Sequence, residues 1–238
     1  MDFLIEGFRS TFIEEDRYLT FLQGLGNTLL IALCATVIGT VIGSVVAIVK
    51  TVYKQQTGRK NPLLAVLNAV FEVYTEVVRG TPLVVQLLIS YNIIFVFSTQ
   101  PVLVGLLTFG FNSGAYVSEI IRAGINAVDI GQTEAGRSLG LSRSVTMWQI
   151  VMPQAIKNVL PAIGNEFIAL LKDTSIVGYL GVVDITRAAD RVISRTADVY
   201  FPYISIALMY LAMVLVLNYF VKKLERRLNQ NERHRDKR

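Results

Sequence analysis

Long apolar runs alternate with short polar stretches along most of this chain. Several of the runs approach the roughly 20 apolar residues that an α-helix needs to cross the ~30 Å hydrocarbon core of a bilayer. The chain is therefore predicted to be an all-α integral membrane protein. The pattern predicts five transmembrane helices, at about residues 24–49, 83–97, 102–125, 155–180 and 202–221.

Three other segments have a mixed pattern that predicts helices without a full crossing. Residues 1–20 combine apolar and acidic side chains and predict a short helix along the interface. In residues 62–79, charged side chains recur along one side, which favours an amphipathic helix at the cytoplasmic interface over a complete span. Residues 181–200 have balanced charges and predict an external helix that lies on the membrane.

The first predicted span contains two glycines, Gly39 and Gly43, at a four-residue spacing. Small residues repeated in this way allow the backbone of another helix to come close. We therefore expect a second helix to pack tightly against this side of the first span.

The basic residues set the orientation of the predicted spans. Lys50, Lys54, Arg59 and Lys60 follow the first span, and a second basic cluster begins at Lys222. The positive-inside rule places both clusters in the cytoplasm, so the N-terminus is predicted outside and the C-terminus inside. The predicted organisation is an external or interfacial segment, a transmembrane domain and a basic cytoplasmic tail, at residues 1–20, 21–222 and 223–238.

Composition agrees with a membrane protein and argues against other classes. The chain is 53% hydrophobic with a formal net charge of +5, and its mean hydropathy is +0.49. Because the basic residues lie at the ends of apolar segments, the charge indicates a lipid bilayer and no nucleic-acid partner. The single cysteine, Cys34, lies within an apolar run and indicates neither a disulfide nor a metal site.

The longest polar interruption, residues 132–161, has the pattern of a helix–turn–helix. Thr133 is a plausible N-cap for its first helix, and Gly140 is suited to end that helix in the left-handed conformation. The second helix is expected at about residues 142–151, before a break at Pro153. One face of it carries the apolar side chains Val145, Met147, Trp148 and Val151. The compact polar motif predicts a surface for a partner protein.

The predicted fourth span carries a polar stripe. At 100° per residue, Asn165 and Lys172 are in line, and Glu166 and Asp173 are in line beside them. Ionisable groups within a span commonly cost several kcal/mol, so they need a partner or a function. A neighbouring cation and anion suit a ligand that carries charges of both signs, and we favour this binding role for Glu166. For Lys172 and Asp173, an internal salt-bridge network is an equally good interpretation.

Other polar residues of the spans are weaker candidates. Asn112 and Tyr116 share a face of the third span and suit either a cavity or hydrogen bonds between helices. Glu119 and Arg122 are three residues apart and predict an intrahelical ion pair. Gln86, alone in the second span, is a further candidate for substrate binding.

The polar interruption also resembles a known motif. Glu134-Ala135-Gly136, Gly140, Ile150 and Met152-Pro153 match the EAA-x3-G-x9-I-x-LP pattern of ABC-importer permeases, with Gly136 for alanine and Met152 for leucine. Three further segments resemble the polar amino-acid permeases of the histidine, glutamine, arginine and cystine type: RGTPLVVQ (79–86), NSGAYVSEIIRAG (112–124) and NEFIALLKDTSIV (165–177).

The resemblance implies a type I ABC-importer permease in a bacterial cytoplasmic membrane, crossing it several times. It implies a second permease copy or a paralogue, two ATP-binding subunits, and an external protein that delivers a polar amino acid. It also implies a cytoplasmic coupling loop at about residues 127–155. The coupling residues carried over by the motif are Glu134, Ala135, Gly136, Arg137 and Gly140.

The expected chemistry of this chain is transport without catalysis. No GxxxxGK[ST] phosphate loop is present in the sequence, so ATP and Mg²⁺ are expected on the partner ATPase, and no cofactor, catalytic residue or metal ligand is assigned here. Two other functions compete with this one. The first is an ion-coupled secondary amino-acid transporter that works alone, and the second is a membrane scaffold subunit without a transport pathway.

Overall fold

The computed structural model describes residues 2–56 and 61–233. All regular elements in these ranges are helical. We number the α-helices α1 Asp2–Phe8, α2 Tyr18–Gln55, α3 Pro62–Gly80, α4 Leu83–Ile89, α5 Pro101–Asn126, α6 Ile130–Ser138, α7 Arg143–Thr146, α8 Met152–Asp173, α9 Ile185–Thr196 and α10 Tyr200–Arg233. The predicted all-α class is confirmed for the described part of the chain. Arg59 and Lys60 lie outside it.

Two of the described helices are long and apolar enough to cross a membrane. They are α2 and the Tyr200–Leu228 part of α10. The helical segments Pro62–Gly80 and Leu83–Ile94 meet the same test only when they are taken together, as one helix broken at Thr81 and Pro82. The count of five spans and the positions of the two termini stay predictions.

Several helices end at other residues than the apolar runs predict. The second run, at residues 83–97, forms only α4 and a π-helical turn, Ser90–Ile94. The fourth run, at 155–180, begins within α8 and changes at Thr174–Leu180 into a 3₁₀-helix. The chain then turns at Gly181, which has a φ of +80°. An apolar run indicates that a segment is buried in lipid or protein, but it does not determine where an α-helix ends. The backbone within the run can change to a tighter 3₁₀-helix or form a turn.

Much of the predicted basic tail is helical. The tail is expected to begin at residue 223, and α10 continues without a break through Arg233. Lysine, arginine and glutamate are good helix formers, so the loss of hydropathy after Lys222 does not end the helix. The remainder of the tail, residues 234–238, lies outside the described residues.

The chain forms two compact units, and the first contains residues 1–36, 82–110 and 167–217. One of its hydrophobic clusters joins α2, α4, α5 and the end of α8. Ile31, Leu87, Phe109, Leu170 and Val177 are its most buried large side chains, at 2% exposure or less. A second cluster of this unit surrounds α9.

Helix α9 packs inside this first unit. Ile185, Ala188 and Ala189 are completely buried, and they pack with Phe21 of α2 and Ile206 of α10. The amphipathic helix predicted for residues 181–200 is therefore present, but its apolar side is covered by protein. The expectation that the apolar side of this helix contacts the membrane is therefore wrong.

A buried carboxylate fixes the start of α9. Asp184 is the N-cap, and its carboxylate accepts hydrogen bonds from the backbone N–H groups of Thr186 and Arg187, at 3.0 Å each. The phenol of Tyr210 lies 3.5 Å from the same carboxylate. Burial raises the pKa of Asp184 above its ordinary value, and the backbone N–H groups oppose that shift.

The N-terminal segment is attached to the end of α9. Helix α1 continues into a π-helical turn, Arg9–Ile13, and a 3₁₀ turn, Glu14–Asp16. Arg195 donates a 2.7 Å hydrogen bond to Glu15, and the Arg17 guanidinium lies 3.3 Å from the same carboxylate. Arg17 and Arg195 hold the pKa of Glu15 below its usual value. The predicted short helix is confirmed, and these ion pairs hold the segment that follows it on the protein.

The second compact unit contains residues 37–81, 111–166 and 218–238. In it, α2 and α5 pack closely at the two predicted glycines. A Cβ atom on Gly39 would lie 2.6 Å from Ser113, and one on Gly43 would lie 2.8 Å from the backbone N of Ser118. The expectation of a tightly packed helix at Gly39 and Gly43 is thus confirmed, and α5 is that helix.

Candidate functional site

The predicted helix–turn–helix is present in the second unit, but it begins earlier than expected. Helix α6 starts at Ile130, and Asp129 is its N-cap, with a carboxylate that accepts a 2.7 Å hydrogen bond from the N–H of Gly131. The N-cap assignment of Thr133 is therefore wrong, since Thr133 lies inside the helix. Aspartate is among the best N-cap residues, because its short side chain reaches the free N–H groups of the first turn.

The end of α6 agrees with the sequence. Gly140 has a φ of +81°, which is the left-handed conformation predicted for it. The N–H of Leu141 bonds to the carbonyl of Gly136, and the N–H of Gly140 bonds to that of Arg137. This pair of hydrogen bonds is a Schellman motif, which satisfies the last carbonyls of the helix and fixes the direction of the chain after it.

The second helix of the motif does not stop at Pro153. Ser142 caps α7, and the chain passes through a π-helical turn, Met147–Val151, straight into α8. The wider hydrogen-bond pattern of a π turn leaves room for a proline that cannot donate to the preceding turn. The expected break is therefore absent, and α7 is a continuous extension of α8.

The two helices of the motif are held together at Gly136. A Cβ atom there would lie 2.9 Å from Thr146 and 3.0 Å from Ile150. Thr146 is buried, whereas Trp148 is 60% exposed, so the predicted apolar face with Val145, Met147, Trp148 and Val151 does not form one packed surface. The small residue at 136 lets α6 lie directly on α7 and the turn that follows.

Most of the predicted coupling residues are available to a partner. Glu134, Ala135, Arg137 and Gly140 are exposed, whereas Gly136 is buried. Ile130 and Leu139 at the two ends of α6 are 72% and 81% exposed, which is unusual for large apolar side chains. A short rigid helix with exposed apolar ends and polar groups between them has the composition of a protein interface.

One further residue connects this motif to α2. The Arg143 guanidinium donates a 2.9 Å hydrogen bond to the carbonyl of Gln55, the last residue of α2. A cation at a helix C-terminus is favourable because it faces unpaired carbonyl groups. The sequence analysis missed Arg143, since the two residues are 88 positions apart and no local pattern connects them.

The candidate substrate residue Glu166 has a partner from another helix. Its carboxylate accepts a 3.1 Å hydrogen bond from the hydroxyl of Ser113 on α5. Asn112, the neighbour of Ser113 and another candidate, is buried. Ser113 itself contacts α2 at Gly39, so three helices fix the position of this carboxylate. The role of Glu166 and Asn112 in substrate binding stays a prediction.

Three other candidates belong to the first unit. Lys172 and Asp173 are exposed and form the last turn of α8, where the cation of Lys172 is favourable beside the helix end. Gln86 is half-buried in the middle of α4. Their assignment to the substrate stays a prediction.

The second unit contains an ion network around Glu119. Arg122 donates to its carboxylate at 2.6 and 3.0 Å, which confirms the predicted intrahelical pair. Lys50 of α2 lies 3.4 Å from the same carboxylate and donates to Thr75 of α3 at 2.8 Å. Arg79 of α3 lies 3.9 Å away. Glu119 therefore joins α2, α3 and α5, which the sequence did not indicate.

The candidate residue Tyr116 lies beside this network. The guanidinium carbon of Arg79 lies 5.6 Å from the centre of its ring, at the distance of a cation–π contact. Tyr116 is 38% exposed, so its phenol is still accessible. In this structure its ring face is used to hold Arg79.

We predict that Glu119→Gln lowers the stability of the protein. The side chain is 19% exposed, and its removal leaves three cations without their shared anion. The expected loss is about 2 kcal/mol, or roughly 5 °C in Tm. Thermal unfolding of the purified protein measures this, with Glu76→Gln at an exposed position of α3 as the matched control. Equal Tm values for the two variants would contradict the role of the network.

In the described part of the chain, no group of three or more His, Cys, Asp or Glu side chains is placed to hold a metal ion. Cys34 is a half-buried free thiol. The candidate sites for binding a ligand or a partner are therefore the polar residues between the helices and the exposed surface of α6.

Comparison with protein families adds a direct assignment. Residues 57–230 match the family described as binding-protein-dependent transport system inner membrane component. The chain belongs to this family. It is a permease-type membrane subunit of an ABC transport system, in a class without the ATP-binding cassette, and a multi-pass component of the bacterial inner membrane. Membership implies ATPase and substrate-binding partners.

Relatives of this permease are similar over nearly its whole length. It is 37% identical to the putative glutamine transport system permease protein of Rickettsia typhi over 218 residues, which are 90% of this chain and 95% of that one. It is 39% identical to the arginine transport system permease protein of Bacillus subtilis over 214 residues, with 89% and 93% coverage.

Solved structures agree with the family fold. An amino acid ABC transporter crystallised with histidines matches 88% of this permease and 94% of that chain, at 42% identity and a TM-score of 0.80. The MetNI methionine ABC transporter in an inward-facing form matches with a TM-score of 0.75, 91% and 99% coverage, and 15% identity. The second likeness concerns the fold alone.

Proposed function

We propose that this chain is the permease subunit of an ATP-driven importer for a polar amino acid. It forms the translocation pathway together with a second copy of itself or a paralogous permease. The observation that carries the proposal is the match to a solved amino acid ABC transporter over 88% of the chain, at 42% identity. Permeases named for glutamine and arginine transport support the choice of a polar amino acid.

Helix α6 is the proposed coupling element. It is short, closed at both ends by hydrogen bonds, and exposed at Glu134, Ala135 and Arg137. Contact at Gly136 and the continuous path from α7 into α8 give it rigid connections to a long helix. Movement of a partner bound to α6 would therefore be passed directly to α8.

The proposed partners divide the work of transport. Two ATPase subunits bind α6 from the cytoplasm and hold ATP and Mg²⁺, and an external binding protein delivers the amino acid. This chain contributes no group to hydrolysis. The coupling loop comprises residues 127–155, with α6 at its exposed end.

The proposed topology has five spans, with the N-terminus outside and the C-terminus in the cytoplasm. It is supported by the distribution of basic residues, which place the end of α2 and the end of α10 on the inner side. Residues 1–20 are then external or interfacial, residues 21–222 form the transmembrane domain, and residues 223–238 form a basic tail.

Glu166 is the proposed ligand for the α-amino group of the substrate. Because Ser113 holds the carboxylate in place, the side chain loses little conformational entropy when it binds a cation. Asn112 and Tyr116 on α5 are proposed to add polar contacts within the second unit. Gln86, Lys172 and Asp173 are proposed as separate candidates for substrate contact within the first unit. Lys172 suits the substrate carboxylate because it is a cation.

The proposal is tested by coexpression of this chain with an ATPase subunit and a binding protein of amino-acid ABC importers from the same organism. We expect the complex to copurify and its ATP hydrolysis in vesicles to rise when the loaded binding protein is added. A scaffold without a pathway would copurify but show no response to the loaded binding protein. A secondary transporter would not copurify with an ATPase.

A further inference from the structure

An apolar groove of about 350 Å³ lies in the second unit, between the end of α2, the end of α5 and the start of the segment that leads into α8. Its volume is within the range of clefts that hold small molecules. Neither coupling through α6 nor substrate binding at Glu166 uses it. The apolar residues that line it include Ile48, Val52, Ile121, Ile125, Met147 and Trp148.

The groove is the continuation of an exposed stripe on α2. Val37, Val41, Val45, Ile48 and Val52 follow each other at spacings of three or four residues, and each is between 44% and 61% exposed. Such spacing places them on one side of the helix. Because α2 has the length and composition of a membrane span, this side faces hydrocarbon, and the stripe leads from the bilayer into the groove.

The groove is also lined by polar residues, one of which is a cation. Arg143 lies there with Gln55, Gln56 and Ser144. Arg143 donates one N–H of its guanidinium to the carbonyl of Gln55. The other N–H groups of the guanidinium can donate to an anion. No carboxylate is among the described residues that line the groove, so an ammonium group would find no anionic partner.

Trp148 is the aromatic side chain among the residues that line the groove. It is the single tryptophan of the chain and is 60% exposed. Tryptophan is enriched at the depth where acyl chains meet headgroups, because its ring is apolar and its N–H is polar. Its position is consistent with a groove that lies at this boundary.

We propose that the groove binds an anionic phospholipid, with one acyl chain among the apolar side chains and the phosphate at Arg143. An acyl chain continues the hydrocarbon contact of the α2 stripe, and the phosphate matches the planar donors of arginine. The lipid phosphate would thereby contact Arg143, the residue that connects the coupling segment to α2. Lipid binding at this place requires only the membrane location of the chain, so it does not depend on the transport proposal.

The single tryptophan permits a direct test with the full-length chain. The protein is reconstituted into vesicles of phosphatidylcholine and phosphatidylglycerol, with bromine atoms on the acyl chains of one lipid at a time. Bromine quenches tryptophan fluorescence only at short range. Quenching of Trp148 as a function of the fraction of each brominated lipid gives its relative affinity for the groove. We expect an approximately fivefold preference for phosphatidylglycerol.

Three variants identify the group responsible. Arg143→Gln should remove the preference, and Arg143→Lys should retain part of it, because the positive charge remains but the planar donors are lost. Arg226→Gln removes an exposed arginine of α10 that does not line the groove, and it should leave the lipid preference unchanged. Circular dichroism of each variant confirms that the helices are present before quenching is measured.

Two outcomes would overturn the proposal. Equal quenching by the two lipids in the parent protein would show that the headgroup is not recognised. Absence of quenching by either lipid would show that a second copy of the chain or another protein covers the groove.

Discussion

Replacing Glu134 with alanine and Gly140 with valine should abolish ATP-driven uptake while leaving the helices in place. Glu134 is an exposed anion of α6, and its removal takes a polar contact from the proposed ATPase interface. A valine at Gly140 is strained at a φ of +81°, so the end of α6 changes direction. Residues central to an interface cost about 2 kcal/mol or more when truncated, which weakens ATPase binding roughly 30-fold.

The measurement is copurification of the ATPase with the double variant, together with hydrolysis stimulated by the binding protein. Gly181→Val is the matched control for backbone strain, because Gly181 has a φ of +80° and lies outside the coupling segment. Glu72→Ala is the control for loss of an exposed glutamate. Normal stimulated hydrolysis in the double variant would contradict the coupling role of α6.

The second large effect is expected for Glu166→Gln. Glutamine has the same shape and can still accept the hydrogen bond from Ser113, but it has no charge for the substrate amine. Loss of one partner of a desolvated charge pair commonly costs about 2–5 kcal/mol, so the KM for uptake should rise about 30-fold or more. The kcat should change much less if the carboxylate acts in binding alone.

Two observations separate this role from a structural one. Ser113→Ala removes the hydrogen bond and keeps the charge, so it should raise KM only a few-fold. Thermal unfolding of Glu166→Gln should match that of the parent protein. A lower Tm with unchanged uptake kinetics would mean that Glu166 stabilises the contact between α5 and α8 and does not bind substrate.

The features that the sequence predicted well depend on local backbone chemistry. Gly140 was assigned because glycine readily adopts the left-handed conformation that closes a helix, and the structure confirms it. The Glu119–Arg122 pair follows from its three-residue spacing on one helix. The resemblance to a family also depended on spacing along the chain, and the match over residues 57–230 confirms the family.

The ends of helices were harder to predict where two sequence signals compete. Asp129 is a strong N-cap, but Thr133 is also a suitable N-cap residue, so the start of α6 was placed too late. Pro153 predicted a break, and the π-helical turn before it removed the conflict with the preceding carbonyl. Local propensity alone does not decide where these helices begin and end. The packing of α6 on Thr146 and Ile150 also favours a continuous helix through Pro153.

Contacts between distant residues could not be predicted. Lys50 and Glu119 are 69 positions apart, and Ser113 and Glu166 are 53 apart. A single sequence carries the periodicity that places a polar residue on a helix face, but it does not show which helix lies opposite. The candidate Glu166 was therefore found from its position in an apolar run, whereas its partner Ser113 required the structure.

Uptake of radiolabelled amino acid into vesicles tests the central claim most directly. The vesicles contain this chain with its permease partner and ATPase, and the loaded binding protein is added to the external face. We predict uptake only when ATP is present on the ATPase side, with no effect of a collapsed ion gradient. Uptake by this chain alone, driven by an ion gradient without ATPase, would contradict the claim.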